Sequence, residues 1–200
     1  MTWAHERRLE VVLAALRAAG AETVLDLGCG DGPLLVRLAH EASIRRIVGV
    51  DVSAEALEAL RKRLSAAPEE VREKVELRHA SMTEASPGLT GFDAAILVET
   101  IEHVEPDRLS LVERAVFRHM HPASVIVTTP NSDYNALLGV PGHRMRHPDH
   151  RFDWGGARFR AWAGGVAKRN GYEVTCEKVA GGTQMAVFRL ALDARRAALP

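Results

Sequence analysis

The sequence predicts an α/β fold: a mainly parallel sheet covered by helices on both faces, closed by an antiparallel hairpin. Three observations point to it. Short buried strands alternate with amphipathic helices as far as residue 128, the first strand runs directly into a glycine loop, and the last two strands follow one another across Gly181-Gly182. Alternation of the two patterns implies parallel strands joined by helical crossovers, whereas consecutive strands joined by glycines imply a hairpin.

Taken in order, residues 3–19 carry Leu9, Val12, Leu13 and Leu16 at helical spacing, and Gly20 stops them. Thr23–Leu27 is a short apolar run bounded by glycines, as a buried parallel strand should be. A helix over 33–42 begins at Pro33, which suits a first turn. Ile47–Val50 forms a second strand ending at Asp51; Ser53 caps a helix over 54–66, and Pro68 lies beyond its end. Val75–His79 and Phe92–Val98 are the third and fourth strands. Leu109, Val112, Val116 and Met120 mark a helix over 107–120, and Ser124–Thr128 is a fifth strand stopped by Pro130. After a loop rich in Pro, Gly, His and Arg, a helix over 156–169 ends at Gly171, and strands over 172–178 and 184–190 bring the expected total to seven.

Composition narrows the class. Two hundred residues, 46% hydrophobic, suit one domain with a single core, and no linker or repeat divides residues 1–200. No apolar run approaches a membrane span, and the N-terminal residues lack the order of a signal peptide. Cys29 and Cys176 are too few for a disulfide framework, so a cytoplasmic setting is expected. The 26 Lys and Arg balance the 26 Asp and Glu, and no global field advertises a polyanionic partner. Locally, residues 143–169 hold seven Arg and Lys against Asp149 and Asp153. That segment reads either as a phosphate-holding patch or as a solvated helix face with a loop.

In an open parallel sheet, ligands bind beyond the carboxyl ends of the strands. Here the first strand ends in Asp26-Leu27-Gly28-Cys29-Gly30-Asp31-Gly32. The G-x-G-x-G spacing departs from the dinucleotide fingerprint, and Asp26 would repel a pyrophosphate while suiting a ligand with an α-amino group and a sulfonium. Asp51, at the second strand end, can accept from both hydroxyls of a ribose. Ala80-Ser81-Met82, after the third, can grip an adenine between apolar atoms and a hydrogen bond. Each feature alone also fits an ordinary turn. At three successive strand ends they point to S-adenosylmethionine, with Asp26, Gly28, Gly30, Asp51, Ser81, Met82 and Val98 as candidate contacts. The terminal hairpin belongs with Rossmann-like methyltransferases; ordinary dehydrogenases lack it.

The fourth strand runs into Val98-Glu99-Thr100-Ile101-Glu102-His103. On a helical turn, positions i, i+3 and i+4 share a face, so Glu99, Glu102 and His103 could converge on a divalent cation. Carboxylates suit Mg²⁺ and Mn²⁺, and imidazole tilts the set toward Mn²⁺, Co²⁺ or Zn²⁺. The same residues also fit a polar first turn whose acids answer the helix dipole. The loop after strand five can overhang this turn and offer another histidine.

The sequence here resembles the HEN-type small-RNA 3′-terminal 2′-O-methyltransferases, over nearly the whole chain. The resemblance rests on Val98–His103, on Thr129-Pro130-Asn131 with Tyr134-Asn135, and on Asp149-His150-Arg151-Phe152-Asp153-Trp154. It implies Mg²⁺ or Mn²⁺ (or Co²⁺) held by Glu99, Glu102, His103 and His150, with His147 as an outside candidate. It implies as substrate an RNA 3′ end with a free 2′,3′-diol, Arg144, Arg146 and Arg151 being candidates for its phosphates. An RNA-repair or RNA-processing partner protein is implied too. Two departures stand out: Gly155-Gly156 replaces a usual Thr-Arg step, and the Val179–Gly182 loop is short. Two rival readings are a class I methyltransferase acting on a small molecule without metal, and a non-catalytic RNA- or cofactor-binding module.

Overall fold

The computed structural model describes residues 2–84 and 87–191. Helix α1 (Trp3–Ala18) is capped by Thr2, whose Oγ1 accepts the His5 N–H. Strand β1 (Thr23–Leu27) follows, then α2 (Pro33–His40), β2 (Arg46–Asp51) and α3 (Ala54–Ser65), capped by Ser53. The turn α4 (Glu69–Arg72) precedes β3 (Val75–His79) and β4 (Ala94–Val98). Helix α5 (Leu109–Glu113) continues in π-type turns over Arg114–Met120. Strand β5 (Ser124–Pro130), helix α6 (Gly156–Asn170) and strands β6 (Tyr172–Val179) and β7 (Thr183–Leu190) follow and are the last elements among the described residues.

The seven strands form one sheet in the order β3-β2-β1-β4-β5-β7-β6. The first five are mutually parallel, and β7 is antiparallel to both β5 and β6. The order reverses between β1 and β4, so the crevice beyond their carboxyl ends lies beside the glycine loop. Strand side chains alternate between two cores. Leu25, Leu27, Val125 and Val127 pack with Phe117, Phe159 and Phe188 beneath α5 and α6. Val24, Ile47, Ile96 and Ile126 pack with Leu9, Val12, Leu35 and Leu57 beneath α1, α2 and α3. The fold is the expected Rossmann-like one, and no helix among the described residues is long and apolar enough to cross a membrane.

Local departures from the sequence reading have physical causes. Pro68 lies beyond the end of α3 as expected, and it also opens a further turn that the sequence reading did not contain, α4, which buries Val71. The 107–120 helix is not regular: Pro106–Arg108 is a 3₁₀ turn, and the widened turns after Glu113 turn Ala115, Val116 and Phe117 all inward. Three consecutive buried residues exceed what a 3.6-residue stripe allows. Pro130 does not stop β5 but is its last residue, opposite Thr183, and its carbonyl accepts the Gln184 Nε2–H.

Candidate functional site

The glycine loop is shaped from both sides. Gly28, Gly30 and Gly32 all have positive φ. A Cβ on Gly28 would stand 2.3 Å from Thr100 Cγ2, so this position also needs the absence of a side chain. The Gly28 N–H donates to the Val50 carbonyl at 2.7 Å, tying the loop to β2. Asp51 secures it further: Oδ2 accepts the Gly30 N–H and Oδ1 the Ser53 N–H, each at 2.8 Å. Asp51 is therefore oriented by backbone, with lone pairs left for a ligand.

Above these strand ends opens a cavity of about 610 Å³, lined by Gly28, Asp51, Ser81 and Met82 and reaching Glu99, Thr100 and His103. Ser81 is engaged locally, its hydroxyl 2.7 Å from that of Thr83. A smaller adjoining cavity, about 220 Å³, is lined by Asp26 and Val98 together with His5, Arg8, Gly28 and Glu99. Burial, and then the nearby Asp51, push the Asp26 carboxyl up to about 7. A cationic ligand group beside it would reverse that effect. Gly30 lines neither cavity; its part is the hydrogen bond to Asp51.

The polar turn after β4 is built differently from the expected helical face. Only Ile101–His103 is helical, as a 3₁₀ turn, and Glu99 lies outside it at φ 52°. That strained conformation is rare for a residue with a Cβ and persists only where surrounding contacts hold it. The Glu99 N–H donates to both the carbonyl and the hydroxyl oxygen of Thr128 on β5. Its carboxylate accepts the Thr128 hydroxyl at 3.1 Å and pairs with Arg8 of α1, also at 3.1 Å. Burial pushes Glu99 upward against the pull of Arg8.

Glu102, His103 and His150 converge: ligand atoms from the three lie within 4.8 Å of one another. Glu102 is 1% exposed; Oε2 accepts the Thr129 hydroxyl at 3.0 Å, while Oε1 is buried without a partner. Burial, and then Glu99, push its carboxyl up to about 8. Both imidazoles are oriented through Nδ1. His103 donates to the Asp149 carbonyl at 3.3 Å, and the buried His150 donates to Asp153 Oδ1 at 2.9 Å. In the neutral imidazole this leaves each Nε2 with a lone pair, the arrangement typical of metal-ligating histidines. Despite its burial, Asp153 is held below the usual carboxylate range by His150, the Arg146 N–H and Asn135. A buried carboxylate oxygen without a donor, beside two imidazoles, is a donor set that fits a divalent cation. Glu99 stands next to this trio, turned toward Arg8.

The other sequence candidates fall into different settings. His147 is exposed; its Nδ1 accepts the Asp149 N–H, and its ring centroid is 5.6 Å from that of His150. Arg151 borders the larger cavity, 3.4 Å from Glu105. Arg144 is exposed. Arg146 is turned inward: its guanidinium donates to the carbonyls of Asn131 and Gly182 and to Asn135 Oδ1. Arg169 pairs with Glu113 on α5. Within the basic run of 143–169, Arg146, Arg151 and Arg169 are thus each engaged with a different part of the fold. Sequence reasoning missed Arg8, Thr83 and Thr100. Thr100 was legible only through the steric demand of Gly28, and Arg8 meets Glu99 across 91 positions of chain with no local signal.

Fold and site together define a methyltransferase domain, and a family profile described as "Methyltransferase domain" matches residues 24–123. The chain belongs to that family and, within it, to the Hen1-type methyltransferase domains. It is 36% identical to the methyltransferase domain of bacterial CtHen1, with a TM-score of 0.85, covering 94% of this chain and 100% of that one. The structure of the small RNA methyltransferase HEN1 gives 31% identity and a TM-score of 0.85, over 93% of this chain and 25% of the other. A curated "Small RNA 2'-O-methyltransferase" of Gallus gallus is 34% identical over 177 residues, 85% of this chain and 46% of its own length. The chain therefore spans just under half of such a relative.

Proposed function

We propose that this domain transfers a methyl group from S-adenosylmethionine to the 2′-hydroxyl of the 3′-terminal nucleotide of an RNA, with the help of a divalent metal. The observation that carries the reading is the buried, partnerless Glu102 Oε1 facing His103 and His150 at the rim of the strand-end cavity. The names of the relatives support RNA and the 2′-oxygen as acceptor. In this reading Asp51 takes the ribose hydroxyls of the donor, Asp26 answers its ammonium and sulfonium side, and Met82 lies against the adenine. Glu102, His103 and His150 would hold Mg²⁺ or Mn²⁺, with Glu99 joining from Arg8. A cation there supplies Lewis acidity that lowers the pKa of a ribose hydroxyl and favours a vicinal diol. The chain's own contribution is positioning: the cavity aims the methyl group and the histidine pair aims the acceptor, so proximity accounts for much of the rate. Specificity for a free 3′-terminal diol follows, because a 3′-phosphate removes one of the two hydroxyls.

The test is methyl transfer from labelled S-adenosylmethionine to a short RNA, with and without Mn²⁺ or Mg²⁺. The same RNA ending in a 2′-deoxy or 3′-phosphate nucleotide serves as control. Labelling confined to the free diol and abolished by chelator is expected. Equal labelling of all three ends, or full activity in Glu102→Ala, would return the domain to metal-free methylation of another acceptor.

A further inference from the structure

Two cavities meet at the histidine pair. The strand-end cavity reaches His103, and a second cavity of about 630 Å³ begins at His150. The two ring centroids are 5.1 Å apart, so the cavities approach one another at this pair. The second cavity is built from the loop after β5: Val140, Pro141, Met145 and Pro148 give it apolar surface, and Arg144 and His147 give it polar groups. Among the described residues, five large hydrophobic side chains are exposed, and three of them, Leu137, Leu138 and Met145, belong to this loop. Clustered exposed apolar groups beside a concavity mark a surface that meets a ligand. The Arg144 guanidinium has no hydrogen bond or ion pair among the described residues; only its backbone N–H is engaged, with the Pro141 carbonyl.

Resting on the function proposed above, we infer that this cavity receives the base of the terminal nucleotide of a single-stranded RNA end. The base lies against Met145, Pro148 and the His147 ring, and Arg144 meets the adjoining phosphate. Adjacency argues for it first. A ribose held at the cation cluster has the methyl donor on the His103 side, which leaves the His150 side for its base. Chemistry argues for it next. A terminal base has lost a stacking neighbour, and flat apolar or imidazole surfaces restore one whatever the base. The one guanidinium that could read base edges from within, that of Arg146, is already committed to Asn131, Asn135 and Gly182. The subsite therefore accepts all four bases by stacking.

An RNA ending in an abasic ribose separates this from the proposed reaction, since it keeps both hydroxyls and the last phosphate. Its kcat/KM is expected to fall about 5- to 100-fold relative to the intact RNA. Met145→Ala, at a half-exposed position where truncation is expected to leave the melting temperature within about a degree or two of the parent's, should show a comparable fall on intact RNA and no further fall on the abasic one. The four natural 3′ bases should differ by less than about threefold. Methylation of abasic and intact RNA at equal efficiency overturns the base subsite while leaving the reaction standing. So does a Met145→Ala loss that persists in full on the abasic RNA. If neither RNA is methylated in the presence of metal, the reaction itself is wrong and the subsite falls with it.

Discussion

If Asp26 answers the cofactor's positive charge as proposed above, it is a residue at which the site trades stability for binding. Its carboxyl is buried near Asp51 and sits at about 7, where a solvated aspartate sits near 3.8. The native state thus binds the proton more tightly than the unfolded chain does. Between about pH 4 and pH 7, stability must fall as pH rises, and above 7 the full penalty, up to about 4 kcal/mol, is present. Asp26→Asn removes that penalty. The variant without cofactor is expected to melt higher than the parent at pH 8, with the difference shrinking toward zero near pH 4. Its melting temperature should respond little to S-adenosylmethionine, because the ammonium and sulfonium lose their counter-charge. Thermal melts at both pH values, with and without cofactor, check both halves. A variant that melts lower than the parent at pH 8 would show that Asp26 holds the fold and is not held in reserve for a ligand.

At the scale of elements, the decisive contact is Arg146, which joins three segments that sequence reading treated separately. Its guanidinium links the residue after β5, the turn before β7 and the 135–150 loop, while its N–H donates to Asp153, the partner of His150. Removing it takes one donor from each of the Asn131 and Gly182 carbonyls and leaves Asn135 Oδ1 without its partner. Arg146→Ala is expected to destabilise the domain by about 2 kcal/mol. It should also raise amide exchange across residues 143–153 and weaken Mn²⁺ binding, because the guanidinium no longer pins the loop whose backbone N–H holds Asp153, the partner of His150. Unchanged stability coupled with weaker, salt-sensitive RNA binding would make Arg146 a phosphate contact instead. The strands were legible because burial and glycine boundaries are local signals, and the strand-end residues Gly28, Asp51, Ser81 and Met82 came with them. The His103–His150 pairing was reachable through the adjacency of β4 and β5, which follows from topology. What could not be read was conformation set by distant partners. Glu99 adopts φ 52° because Thr128 holds its N–H, and no i, i+3, i+4 count contains that information. Arg146 likewise looked like any loop arginine, since its acceptors are carbonyls supplied by segments far along the chain.

For the whole molecule, electrical neutrality limits how RNA can be held. The chain has 26 basic and 26 acidic residues, and within the one basic run Arg146, Arg151 and Arg169 are engaged with Asn131, Glu105 and Glu113. Among the loop arginines proposed for phosphates, Arg144 and Arg151 remain near the two cavities. With roughly two phosphates neutralised on a single strand, log K should change with log salt at a slope of about −1.4. Raising salt from about 50 to 200 mM would then raise KM by only about sevenfold, whereas a protein tracking many phosphates loses orders of magnitude over the same range. In the proposed function, recognition would therefore rest on the end of the strand, where diol, base and last phosphate converge, and not on the length of the backbone. Steady-state KM for a short RNA across that salt range measures the slope directly. A slope steeper than about −4 would require a continuous basic track that neither the net charge nor the arrangement of these arginines provides, and would move the RNA-binding surface elsewhere on the molecule.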